Sequence, residues 1–170
     1  MSEKSFWQFS LATYSITGVE GLLLRLQDEF GADVNMLLCC YWLGSQQITL
    51  TPEQWIELDY LTADWREGAI VHLRSARRFL KGQIEAGDLR QQIQAAEIEA
   101  ERFQQNAMEK YLMNHQRPSQ KIPSDQAAWQ NIQRYFTSLQ AVEWIAVEAI
   151  NNMLHQSMVC SDSFRSQIDS

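Results

Sequence analysis

The sequence predicts an all-α protein, a single helical bundle in which three short N-terminal helices pack on about three long ones. Three observations carry that expectation. Only seven Gly and three Pro punctuate 170 residues, too few for a turn-rich β architecture. Helix-capping signals stand at regular breaks in the apolar pattern. All three prolines fall at the edges of the helices so defined, where proline is tolerated.

The first helix, about 6–15, opens on Ser5 with Gln8 three residues on, the spacing of a capping box. Thr17 and Glu20 repeat that spacing for a second helix, about 18–30, which Gly31 closes as a C-terminal cap. Asp33 reads as the N-cap of a third, about 34–44, with Gly44 at its end. "QQITLT", residues 46–51, has extended character but is too short to found a sheet.

"LTPEQW" is the strongest start in the chain, with Thr51 as N-cap, Pro52 at the first helical position and Gln54 at the third. The helix it opens runs to Gly82, about thirty residues or ~45 Å. A second long helix, about 88–114, comes after the "EAGD" turn. A third, about 125–157, is capped by Ser124 after the break "HQRPSQKIPSD". One domain over 1–160 is expected, with 161–170 a flexible tail. A domain of this size is ~40 Å across, so helices of ~45 Å must kink or project. Gly68 offers a kink. A projecting hairpin of the two later helices would expose apolar surface, which points to a dimer.

Bulk composition excludes several functions. The chain is 45% apolar with six Trp, enough for a packed core. Its net charge of −7 repels phosphate backbones, so no nucleic-acid partner is expected. The N-terminus lacks a signal-peptide pattern, and no apolar run reaches the ~20 residues that span a bilayer. Three cysteines are too few for a disulfide scaffold, and a reducing cytoplasmic setting fits them.

Cys39 and Cys40 are the first candidate site. Neighbouring helix positions point about 100° apart, so the pair shares no face. Nearby co-ligands are lacking beyond Asp33, and Cys160, His72, His115 and His155 are scattered. Met36, Leu37, Leu38, Tyr41, Trp42 and Leu43 surround the pair instead, which predicts buried free thiols and no metal or cofactor. The same apolar run leaves no polar side chains for a recognition helix to read bases.

The helix 52–82 carries the most suggestive surface. On an unbroken helical wheel Trp55, Leu58, Leu61, Trp65, Ala69, Leu73, Ala76, Phe79 and Leu80 form one apolar stripe. Arg66, Arg74, Arg77, Arg78 and Lys81 gather on an adjoining arc of about 120°. Such an arc suits a phosphate, a carboxylate metabolite or an acidic partner surface. It equally suits a helix C-terminus, with Glu85, Asp88 and Glu97 of the next helix as partners. His72 falls within the apolar stripe as a core histidine or, beside the arginines, as an occupant of a small-molecule pocket.

In helix 88–114, Leu89, Ile93, Ala96, Ala100, Phe103 and Ala107 have a coiled-coil-like spacing and predict the packing seam. Glu97 and Glu101 are then solvated surface, since the Glu-x-x-His elements of di-iron bundles are missing. The P-loop, Gly-x-Ser-x-Gly, His-Glu-x-x-His and dinucleotide fingerprints are all absent, and no catalytic residue is assigned.

"FWQFSLATY", "LLLRLQDEFGADVNMLLCCYWLG" and "WREGAIVHLRSARRFLKG" together resemble a family of small, uncharacterised bacterial proteins classed as a domain of unknown function. The resemblance covers roughly residues 6–112. It implies a bacterial cytoplasmic protein and transfers no activity or site residue. The residues themselves favour a non-catalytic interaction or scaffold protein, homo-oligomeric or bound to a protein partner. The alternative is a binder of, or enzyme acting on, an anionic metabolite through Arg66, His72, Arg74, Arg77, Arg78 and Lys81.

Overall fold

The computed structural model describes residues 5–115 and 122–138, and every regular element among them is helical. In order these are α1 (Phe6–Tyr14), α2 (Val19–Phe30), α3 (Val34–Ser45) and α4 (Pro52–Trp65). A π-helical turn (Arg66–Ile70) leads into α5 (Val71–Leu80), and a 3-10 turn (Ile84–Ala86) into α6 (Gly87–His115) and α7 (Ser124–Ser138). The protein is all-α, as expected. The expected continuation of the last helix to 157 and the tail 161–170 lie outside the described residues, with His155 and Cys160. No described helix is long and apolar enough to cross a membrane.

The chain divides into two compact units, Met1–Ile56 with His115–Ser170, and Glu57–Asn114. The first is built around α3, in which every residue from Val34 to Gly44 is buried. Asp33 starts that helix, its carboxylate accepting hydrogen bonds from the backbone N–H groups of Asn35 (2.8 Å) and Met36 (3.3 Å). Cys39 and Cys40 are buried free thiols. Burial pushes both thiols well above their ordinary range, which suppresses the reactive thiolate.

Gly44 does not end α3. The helix continues to Ser45 and is capped at Gln46. A Cβ on Gly44 would lie 2.5 Å from the Ala128 Cβ and 2.6 Å from its Cα, so the missing side chain lets α3 and α7 touch. The glycine signal was therefore one of packing. The 46–51 segment forms no strand, yet its backbone is held as a strand's would be. Asn131 of α7 accepts from the Leu50 N–H (3.0 Å) and donates to the Ile48 carbonyl (2.8 Å), while Arg134 donates to the Leu50 carbonyl (2.7 Å).

The capping boxes at Ser5–Gln8 and Thr51–Gln54 both form reciprocally. That expected at Thr17 does not. Gly18, at φ 89°, is the N-cap of α2 and offers no side chain. Gly31, at φ 65°, closes the helix as expected, a left-handed position that glycine adopts without strain.

In the second unit the π-helical turn contains Gly68 and inserts one residue beyond a regular α-turn, its Val71 N–H donating to the Arg66 carbonyl. Each inserted residue rotates the downstream helix by about 100°. This overturns the wheel drawn across 52–82. Protected positions run Leu58, Thr62 and Ile70, and no residue of α5 is fully buried. Phe79 is 71% exposed, and His72 is exposed rather than a core residue.

Candidate functional site

The rotation introduced by the π turn decides where the basic residues point. Arg74 and Arg77, one turn apart on α5, face Glu97 of α6. Arg74 Nε donates to Glu97 Oε1 (3.0 Å), and Arg74 Nη2 to Glu101 Oε1 (2.9 Å). Arg77 grips the same carboxylate from both sides of its fork, through Nε to Oε2 and through Nη2 to Oε1 (3.2 Å). Glu97 is only 4% exposed. The expectation that Glu97 and Glu101 are solvated surface is thus corrected: Glu97 is the buried hub of an ion-pair cluster.

The electrostatics result from that placement. Burial pushes the Glu97 carboxyl up, but the hydrogen bonds and charges of Arg77 and Arg74 outweigh it, leaving it below its ordinary value. The hydrogen bond to Glu97 raises Arg77 in turn, against the opposing effect of burial. Two carboxylates set against two guanidiniums make the cluster a charge-balanced set that holds α5 to α6.

The other basic residues are dispersed. Arg66 Nη1 bonds Asp59 Oδ1 at 2.7 Å on α4. His72, Arg78 and Lys81 lie on exposed surface of the same segment. The candidate anion site is therefore not one cluster: Arg66, Arg74 and Arg77 engage carboxylates of the chain itself, and His72, Arg78 and Lys81 are solvent-exposed. Among the described residues, no group of three or more His, Cys, Asp or Glu could hold a metal ion.

A second feature was not anticipated. The protected face of α6 runs through Glu97, Ala100, Gln104, Met108 and Leu112 rather than through Leu89, Ala96 and Phe103. Leu89 and Phe103 remain 49% and 51% exposed. Phe103 stacks flat on Trp65, with centroids 5.3 Å apart and planes 4° from parallel. This pair lines an open groove of about 460 Å³ together with Asn106, Ala107, Glu109, Lys110 and Met113. Tyr111 of α6 donates to Glu57 of α4, and burial, then that hydrogen bond, raises its hydroxyl to about 12. The groove is largely apolar, with Glu109 and Lys110 as its charged lining residues. Its signal in the sequence was the regular spacing of α6, read there as a buried seam.

Residues 5–108 match the family model described as a protein of unknown function, DUF2390, and the chain belongs to that family. No curated protein and no solved structure matches it.

Proposed function

We propose that this family member is a non-catalytic helical interaction or scaffold protein of the bacterial cytoplasm, and that its second unit is the interacting element. The observation that carries the reading is the solvent-facing aromatic pair Trp65–Phe103 with the apolar groove it lines. Large apolar side chains grouped in this way are what protein partners cover. The acidic chain, at net charge −7, does not suit nucleic acid as that partner. Native mass spectrometry of gently purified full-length protein tests the reading. A homodimer or a stoichiometric protein complex is expected. A strictly monomeric, partner-free species at micromolar concentration overturns it.

A second reading has one observation in its favour: His72, Arg78 and Lys81 are exposed on one short segment without an acidic residue between Ile70 and Gly82. Arg78 and Lys81, three residues apart and so neighbours on the helix surface, suit a phosphate or carboxylate ligand. Thermal-shift measurements with inorganic phosphate and with dicarboxylates test it. A stabilisation that Lys81→Ala abolishes supports the anion site, and the lack of any shift removes it.

A further inference from the structure

The outward face of α6 carries a regular stripe of its own. Ala96, Glu99, Phe103, Asn106, Lys110 and Met113 are all exposed and succeed one another at intervals of three and four residues. At about 100° per residue they occupy one stripe roughly 100° wide. This alternation is the spacing by which one helix lies along another. The packed residues Glu97, Gln104 and Met108 lie on a different arc, so the stripe remains for a partner after α6 has packed within its own unit.

We infer that the occupant of this stripe is the same stripe of a second copy of the chain, laid antiparallel. The inference deepens the interaction reading above and rests on it. The charges set the direction. Glu99 and Lys110 lie eleven residues apart, about 16 Å along the helix. A parallel, in-register pair would set Glu99 against Glu99 and Lys110 against Lys110. A two-fold axis crossing α6 between Gln104 and Gln105 sets Glu99 against Lys110 twice instead.

The same register suits the other positions. Ala96 faces Met113, small against long, and Phe103 faces Asn106, where the groove lined by the Trp65–Phe103 stack receives the ring. Three pairings of acid with base, small with large and ring with groove are thus met by one axis. Glu99 already accepts from Arg102 at 2.8 Å within its own helix. Its side chain is 54% exposed, which leaves it accessible to a lysine from across the interface.

The test uses the full-length chain in sedimentation equilibrium, with circular dichroism to check folding. Glu99→Lys or Lys110→Glu alone places two like-charge contacts in the symmetric interface and is expected to weaken the dimer roughly tenfold. The double reversal is expected to restore it to within about threefold. Asn106→Cys, in a Cys160→Ser background, is expected to give a disulfide-linked dimer on mild oxidation, because Asn106 lies close to the proposed axis. A dimer indifferent to all these changes overturns the stripe pairing but leaves the interaction reading standing. So does a monomer that retains a different, stoichiometric protein. A bare monomer overturns both.

Discussion

The two compact units solve the problem of joining helices by opposite means. In the first, α3 and α7 come close enough that Gly44 has no room for a Cβ beside Ala128. Their contact is made of small and apolar groups, with Asn131 satisfying the one irregular backbone segment that passes between Cys40 and Leu50. In the second, α5 and α6 are bridged by long polar side chains, Arg74 and Arg77 reaching to Glu97 and Glu101. Close packing buries the whole of α3 from Val34 to Gly44. Bridging by long side chains turns polar residues inward and leaves Phe79, Ile84 and Phe103 at the surface, 71%, 99% and 51% exposed.

The largest effect is expected at Gly44. Gly44→Leu forces atoms into the Ala128 backbone and is expected to cost about 3 kcal/mol or more in chemical denaturation. A loss below about 1 kcal/mol would mean that α3 and α7 are free to move apart. The change should also speed native alkylation of Cys39 and Cys40, which burial otherwise protects.

The ion-pair cluster comes next. Glu97→Ala leaves two guanidiniums without their shared carboxylate and is expected to cost about 2 kcal/mol, discounted because both arginines are partly exposed. Its pH dependence has a definite sign. The Glu97 carboxyl lies below its ordinary value in the folded protein. Its contribution is therefore fully present above the unfolded pKa of about 4.3 and is lost as pH falls through the folded value. Hydrogen exchange in α5 and α6 should rise on acidification below about pH 4, and Glu97→Gln should flatten that rise. An unchanged acid profile in the variant would show that other carboxylates control the unit.

The smallest effect is expected on the outer side of α5. Phe79→Ser and His72→Ala should each change stability by less than about 0.5 kcal/mol, since neither side chain is buried. A large loss from Phe79→Ser would place that ring in a contact between copies.

Much of the first unit was legible residue by residue. Ser5, Asp33 and Thr51 act as caps because a short polar side chain preceding a helix bonds the backbone within three residues, a purely local event. The burial of Cys39 and Cys40 could be read from an apolar surround on every side of one helix. The candidate site was legible only in its membership. Arg74 and Arg77 were recognisable as basic residues of one arc, with Glu97 among their candidate partners. His72's exposure could not be read because it lies beyond the rotation at 66–70, and the outward turn of Phe103 could not because the packed face of α6 is the one carrying Glu97. A wheel assumes constant twist, and the inserted residue of the π turn breaks that assumption midway.

Helix content, most helix boundaries and the helical rather than sheet architecture thus come from local physics: capping geometry, the scarcity of Gly and Pro, and apolar periodicity act over a few residues and need no knowledge of the fold. Which face of each helix is covered was settled by contacts distant in sequence. Gly44 became a packing residue because Ala128 lies against it, and Glu97 became buried because two arginines of another helix neutralise it. Desolvating a carboxylate is costly by itself and tolerable beside two guanidiniums, a balance that exists only once the chain has folded.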